Sequence, residues 1–161
     1  MIVCMHSNQG QTGGTMWQTE HTAYTHASPE DVWALWSDVT TWPTWDSGIQ
    51  RANIEGRFAA CASGTLKPTG GPQVTLTIID AKPNHGFVDE TKLPLARMRF
   101  EHEVASDAER TRITHRVQIT GPAAPLFARV IGRGIARDLP ETIAALARLA
   151  SERGARKVVV A

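Results

Sequence analysis

Strict alternation of apolar and polar residues in two neighbouring segments constrains the fold of this chain most strongly. The apolar side of the first segment consists of Met98, Phe100, His102 and Val104. The apolar side of the second consists of Ile113, His115, Val117 and Ile119. A period of two is that of a β-strand with one buried and one solvated face, which is typical of antiparallel sheets. The pattern predicts two adjacent strands of an antiparallel meander.

Turn residues divide the region around these two segments into about six predicted strands. Their approximate bounds are 49–55, 57–66, 73–80, 85–92, 95–105 and 110–120. The third alternates as well, with Leu76 and Ile78 on its apolar side. A threonine-rich segment, Trp17 to His26, predicts one further strand at the start.

Helical patterns lie between the first two strands and after the last. Ser28 can cap a helix that has Pro29 at its first position. A second short helix or turn is predicted around Trp42 to Asp46. A long apolar stripe predicts a helix that starts after Gly121-Pro122, ends at Gly154 and is kinked at Pro140.

This order predicts an α+β fold. A curved antiparallel sheet of seven strands would wrap around the long C-terminal helix, with two short helices after strand 1. One sheet face needs a cover, and only the final helix is long enough to supply it. We expect an internal cavity between sheet and helix, because one helix cannot fill a strongly curved sheet completely.

Composition excludes several classes of protein. The chain has 161 residues and a formal net charge of +1, which argues against a nucleic-acid partner and against a polybasic membrane signal. No apolar stretch is long enough for membrane insertion. The two cysteines are too few for a disulfide framework, which favours a cytoplasmic location. No phosphate or dinucleotide motif is present, so no cofactor is predicted.

The chain is interpreted as one domain with two flanking segments. Residues 1–15 show no periodicity and are predicted to be a disordered leader. The domain is expected over 16–153, with a tail at 154–161. Met16 opens the first patterned segment, so it is a candidate for the natural start.

Three motifs together resemble the SRPBCC superfamily, which includes START-related and pollen-allergen-like proteins. The first runs from Ala27 to Asp38 and continues in Trp42-Pro43-Thr44-Trp45-Asp46. The second is Thr111 to His115 leading into Gly121-Pro122, and the third is Leu139 to Thr142. The chain looks similar to a polyketide cyclase/dehydrase-like member. The resemblance implies the helix-grip fold of that superfamily and a hydrophobic ligand cavity. No set of positions matches the acid–base residues of a characterised cyclase.

Two inward-facing histidines are the sharpest candidate site. If residues 106–111 close a hairpin, His102 lies opposite His115, and both imidazoles project inward. They are expected to be buried and hydrogen-bonded, to orient a ligand, or to act as catalytic acid and base. With His85 they could instead form a zinc site, although the spacing follows no metal motif and no metal is predicted. The orientation of His85 stays open, because a one-residue slip reverses it.

The predicted ligand-binding residues line the inner sheet face, the bend between the short helices and the helix roof. They are Trp42, Leu76, Ile78, Phe87, Met98, Phe100, His102, His115, Val117, Phe127, Val130, Ile131, Gly134 and Ile135. Core packing is preferred for Trp36 and Trp45, and Trp33 is expected on a half-buried flank or as a contact for a partner.

The preferred function is binding of a small hydrophobic or amphipathic molecule by a monomer or homodimer. One alternative is a cyclase or dehydratase that uses His102 and His115. Another is an interaction module without a ligand, which would have a filled interior and an exposed apolar surface.

Overall fold

A single antiparallel sheet of seven strands forms the main layer of the molecule. The computed structural model describes residues 16–160, with side chains described to residue 157, so the predicted leader at 1–15 lies outside the described residues. The strands are β1 (Met16–Thr25), β2 (Ile49–Ile54), β3 (Ser63–Pro68), β4 (Val74–Lys82), β5 (Gly86–Leu93), β6 (Ala96–Asp107) and β7 (Arg110–Thr120). Their order in the sheet is β1-β7-β6-β5-β4-β3-β2.

Two short helices follow β1, as expected. Helix α1 (Pro29–Ser37) begins at a capping box, in which the Ser28 hydroxyl accepts from the Asp31 backbone and the Asp31 carboxylate accepts from the Ser28 backbone. A 3₁₀ helix (Val39–Thr44) comes next. It ends before the predicted position because Pro43 removes one backbone donor and Trp45 closes the turn by bonding to Trp42.

The C-terminal helical segment covers one face of the sheet. It consists of α2 (Ala124–Phe127), a π-helical turn (Ala128–Gly132) and α3 (Arg133–Val160). Pro140 lies inside α3. The Thr25 hydroxyl of β1 donates to the Ala147 carbonyl of α3 at 3.0 Å, which joins the sheet to the helix. The arrangement confirms the predicted helix-grip fold.

The predicted register of the last hairpin is confirmed. Phe100 pairs with Val117, His102 with His115 and Val104 with Ile113. The inner sides of β6 and β7 therefore face the helical layer, and their charged sides face outward. On that outer face the Arg116 guanidinium bonds to Glu101 at 2.8 Å and also to Glu20, as expected of a solvated face.

Two predicted boundaries are wrong. Strand β3 begins at Ser63 instead of residue 57, because turns and bends occupy 55–62, where Gly56 and Cys61 have positive φ angles of 79° and 69°. Helix α3 continues through Gly154 to Val160, so Gly154 does not end it. Gly154 instead permits a close approach, since a Cβ there would lie 3.0 Å from the buried Asp31 carboxylate.

The main core lies between the short helices, α3 and the sheet. Its fully buried members include Trp36, Leu76, Ile78, Ile143 and Leu146. A smaller cluster around Ile119 and Ala124 fills the other end of the sheet. Within the described residues, no helix has the length and apolarity needed to cross a bilayer.

Candidate functional site

The imidazoles of His102 and His115 are neighbours on the inner sheet face. Their ring centroids lie 4.4 Å apart, and the rings are inclined at 70°. The exposed fractions of the two residues are 9% and 3%. The structure thus places both side chains in the predicted row, deep beneath the short helices.

Aromatic rings enclose the two imidazoles. Phe87 stacks on His102 with the centroids 3.9 Å apart and the rings nearly parallel. The Trp36 ring lies 5.7 Å from each imidazole, and Trp45 lies 6.3 Å from His115. The curvature of the sheet predicted a cavity in front of the imidazoles. Aromatic rings occupy this space instead. Trp36 and Trp45 occupy the interior here.

Four buried ring nitrogens in this cluster have no hydrogen-bond partner among residues 16–157. They are Nε1 of Trp36, Nε1 of Trp45, Nδ1 of His102 and Nε2 of His115. Buried polar groups in proteins usually find partners, and leaving one unpaired costs roughly 1–3 kcal/mol. The prediction of fully hydrogen-bonded core histidines is wrong for these atoms. We call the four residues the ring cluster.

A buried carboxyl lies beside the ring cluster. Asp89 on β5 is 4% exposed, and its Oδ2 is 3.7 Å from Nδ1 of His102, too far for a hydrogen bond. Sequence reasoning missed this residue because its strand register was left open. Phe87 faces inward, and the alternation of β5 then places Asp89 and Thr91 on the same side.

A third histidine extends the row onto the first strand. His21 of β1 pairs directly with His115, so the two side chains share the inner face. His21 is only half-buried. The sequence could have indicated this position if antiparallel pairing of β1 with β7 had been assumed, because that pairing places His21 opposite His115.

Burial determines the protonation of the site. It lowers the pKa of His115 to about 3. Burial also lowers the pKa of His102 far below its usual value, and the neighbouring His115 adds to this effect. For Asp89, burial raises the carboxyl pKa well above its usual value. At neutral pH both imidazoles are therefore uncharged, and the carboxyl is shifted toward its protonated form.

His85 does not join the pair. It is exposed in the turn before β5, and its Nδ1 lies 2.9 Å from the Pro83 carbonyl. Its position excludes a zinc site built from His85, His102 and His115. Within the described part of the chain, no group of three or more His, Cys, Asp or Glu side chains is arranged to hold a metal ion.

Trp42 and Trp33 have packing roles in the structure. Trp42 is buried, stacks on Phe87 at 5.9 Å and donates from Nε1 to the Trp36 carbonyl at 2.9 Å. Trp33 is half-buried, and its ring lies edge-to-face with that of Phe58, with the centroids 5.7 Å apart. Trp42 contacts a wall of the ring cluster instead of standing at an open mouth.

The remaining predicted lining residues fall into two groups. The buried ones on the sheet are Leu76, Ile78, Phe87 and Val117. The half-buried ones, on β6 and the helical segment, are Met98, Phe100, Phe127, Ile131, Gly134 and Ile135. The second group lies where the helical segment meets the inner sheet face, and we use the name cleft for this half-buried apolar strip. A Cβ added at Gly134 would meet no atom within 4 Å, so this glycine does not serve close helix packing.

Val130 does not line this cleft. Its side chain is 68% exposed, so its predicted place in the roof is wrong. The π-helical turn at Ala128–Gly132 accounts for the error. In an α-helix Val130 would share a face with Phe127, but the wider π repeat brings Phe127 and Ile131 toward the sheet and turns Val130 away.

Two depressions lined by described residues lie outside this cleft. One, of about 280 Å³, has charged residues of the outer sheet face in its walls, including Lys82, Glu101 and Arg116. The other, of about 350 Å³, lies at the β5–β6 turn between Lys92, Arg97 and Gly121. Neither is the predicted cavity between sheet and helix.

Comparison with known proteins establishes the family. Residues 16–151 match the family described as polyketide cyclase / dehydrase and lipid transport. The chain belongs to this family. The match spans the whole sheet and most of α3, and with the helix-grip fold it confirms the SRPBCC resemblance. Ligand binding or cyclase-type chemistry is the activity that this family membership supports. No curated protein has a significant match to the chain.

Several solved structures share the fold of this chain. Norcoclaurine synthase from Thalictrum flavum, in complex with a transition-state analogue, has a TM-score of 0.65 at 14% identity, covering 89% of this chain and 99% of that one. Ara h 8.0201 has a TM-score of 0.66 at 11% identity, with 84% and 98% covered. The di-domain ARO/CYC StfQ of the steffimycin pathway has 0.68 at 15% identity, with 89% and 52% covered. Identities this low establish the shared fold alone.

Proposed function

We propose that this protein binds a small amphipathic molecule between the inner face of its sheet and the C-terminal helix. The molecule's polar group would lie at the ring cluster, and its apolar body would lie in the neighbouring cleft. The unpartnered nitrogens of the ring cluster are the observation that carries this proposal. Ligand sites typically combine an apolar lining with a few convergent polar groups.

The ring cluster restricts the polar group of the ligand. An indole nitrogen can only donate a hydrogen bond, so Trp36 and Trp45 require an acceptor oxygen. The neutral imidazoles of His102 and His115 can each donate or accept, according to tautomer. A hydroxyl or carbonyl oxygen suits this set. A cationic group is unfavourable, because its charge would be buried in an uncharged environment.

The cleft supplies the apolar contacts. Met98 and Phe100 form its floor, and Ile135 packs from the helix side against the same core. Burying apolar surface contributes about 25 cal/mol per Å², so a ring system or short acyl chain gains several kcal/mol there.

Access to the ring cluster requires motion. Each unpartnered nitrogen is closed to solvent, so a ligand oxygen reaches it only when the enclosing rings separate. Trp36 is the central ring, since it contacts Phe87, His102 and His115. Binding should therefore change the environment of Trp36 and its fluorescence.

Isothermal titration with 2-naphthol and with 1-decanol tests the proposal. One probe is aromatic and the other is aliphatic, and both carry an oxygen acceptor. We expect saturable binding of at least one probe at one site per chain. Phe100→Ser should weaken binding at least tenfold by removing apolar contact in the cleft, whereas the conservative Phe100→Leu should have a much smaller effect. Absence of saturable binding by both probes would contradict the proposal.

The carboxyl beside the ring cluster favours an enzyme of the cyclase or dehydratase type as a second candidate. The displaced pKa values make His102 a neutral base and shift Asp89 toward a neutral acid at the same place. Such a pair can remove a proton next to a ketone and protonate a carbonyl oxygen. If it does, His102→Phe and Asp89→Asn will abolish turnover of a poly-β-ketone substrate while probe binding is retained. Loss of turnover together with loss of probe binding would favour a role in binding without catalysis.

A further inference from the structure

Exposed apolar side chains gather at one end of the molecule. The described residues include five exposed large apolar side chains, Met16, Tyr24, Leu95, Leu126 and Val130. All except Tyr24 lie at the end of the sheet where β5 turns into β6 and β7 leads into the helix. Met16 pairs with Thr120, which in turn pairs with Arg97.

Backbone contacts hold the two parts of this end together. The Ala123 amide donates to the Leu95 carbonyl at 3.1 Å, which ties the β5–β6 turn to the start of α2. Leu95 has a φ angle of 55° and is 76% exposed. A positive φ is unfavourable for a leucine, and its side chain gains no burial in return. The fold thus holds a leucine at the tip of a turn, in water.

Basic residues surround the apolar ones. Helical residues Leu126, Arg129, Val130 and Arg133 are all exposed, while Phe127 and Ile131 between them are half-buried. Lys92 and Arg97 border the 350 Å³ depression beside Leu95. We call this set the end surface; it consists of Lys92, Leu95, Arg97, Leu126, Arg129, Val130 and Arg133.

Acidic residues are absent from the segments that form the end surface. No Asp or Glu occurs in residues 91–100 or in residues 111–137. Among the residues that the structure describes, the carboxylate that reaches the end surface is that of Glu90, which lies 3.9 Å from Arg97 and bonds at 3.1 Å to Arg99. These two segments therefore carry only positive formal charges, although the net charge of the whole chain is +1. The overall balance concealed this asymmetry in the sequence.

We propose that the end surface docks onto the surface of an anionic lipid bilayer. Exposed leucine and valine beside arginine and lysine fit the boundary between acyl chains and anionic headgroups. The depression between Lys92 and Arg97 can receive a headgroup oxygen. Docking would be peripheral, with no spanning segment. It would place the nearby cleft, whose walls include Phe127 and Ile131, next to the bilayer.

Flotation of the full chain with vesicles tests this inference. The vesicles are pure phosphatidylcholine, or phosphatidylcholine with 30 mol% phosphatidylserine, in 0.1 M salt. We expect binding to the anionic vesicles only, with a loss at 0.5 M salt. Arg129→Gln with Arg133→Gln should lower the partition coefficient about 30-fold, since each basic residue contributes a factor of roughly five. Leu126→Ser with Val130→Ser should lower it at least tenfold.

The matched control is Arg148→Gln with Arg156→Gln. Both residues are exposed on the same helix, Arg148 lying roughly 20 Å or more along the axis from Arg133, and they should matter less than twofold. Three results would overturn the inference. They are no binding to anionic vesicles, an equal loss in the control, and a solution dimer that Leu126→Ser with Val130→Ser separates. The assay contains no small ligand, so its outcome is independent of the proposed function.

Discussion

His102 on β6 lies directly opposite His115 on β7, and the two imidazole centroids are 4.4 Å apart in the buried interior. Neither ring has a carboxylate within hydrogen-bond distance among the described residues. Their burial without an ion pair is what lowers both pKa values. This relationship makes the stability of the protein depend on pH in a definite direction.

We expect wild-type stability to fall in mild acid relative to His115→Gln. Below its unfolded pKa of about 6.5 the unfolded histidine binds a proton, but the folded one stays neutral until about pH 3. Stability is therefore fully present above pH 6.5 and is lost as the pH falls below it. The loss is roughly 1.4 kcal/mol per pH unit for this residue.

Urea unfolding at pH 7.5, 6 and 5 measures this difference. Comparison with the variant removes the contribution of Asp89, which has the opposite sign because burial raises its pKa. His85→Gln is the control, since that residue is exposed. A difference between wild type and His115→Gln that is constant over pH would show that His115 is not buried as described.

Replacing Gly132 or Gly134, the two glycines near the π-helical turn, by alanine should change the stability of the protein in opposite directions. A Cβ at Gly132 would lie 3.1 Å from the Trp17 ring, whereas one at Gly134 would meet nothing within 4 Å. Gly134→Ala should stabilise the protein by about 0.5–1 kcal/mol through helix propensity. Gly132→Ala should be less stable than Gly134→Ala by about 1–3 kcal/mol because of overpacking. Thermal unfolding of both variants decides this, and equal stabilities would contradict the packing of Trp17.

Asp31 should contribute to stability far more than its exposed neighbour. Its carboxylate is buried, accepts from Ser28 and pairs with Lys157 of α3 at 2.6 Å. Burial acts to raise its pKa, but the bonds from Lys157 and Ser28 outweigh this and lower it. Asp31→Ala should cost about 2 kcal/mol at pH 7, from the lost cap and an unpaired lysine contact. This contribution disappears as the pH falls below 3.8.

Glu30→Ala is the matched control for that substitution. Glu30 is exposed in the same first helical turn, so its loss should change the free energy of unfolding by less than about 0.5 kcal/mol. Equal effects at positions 30 and 31 would mean that the link between α1 and α3 does not form in solution.

Local patterns in the sequence were sufficient to predict most of the fold. Alternation and turn residues gave the register of β6 and β7, which places His102 opposite His115. The capping residues gave the start of α1. Gly154 was misinterpreted because a glycine near a helix end usually stops the helix, and the contact that explains it involves Asp31, more than 120 residues away in sequence.

The candidate site was predicted less completely, for two physical reasons. Without the register of β5, the sequence favours a solvent-exposed position for Asp89, because buried carboxyls are rare. The filling of the interior by Trp36 depends on how α1 packs over the sheet, which no periodicity specifies. The same holds for the π-helical turn that moves Val130 outward.

The central claim is that a ligand oxygen reaches the ring cluster. Its most direct test is the nitrogen NMR spectrum of the histidine side chains, recorded with and without saturating 2-naphthol or 1-decanol. We predict that the signals of His102 Nδ1 and His115 Nε2 shift on binding, while those of the exposed His85 stay in place. Saturable binding that leaves both buried imidazoles unshifted, or that shifts only His85, would contradict the account.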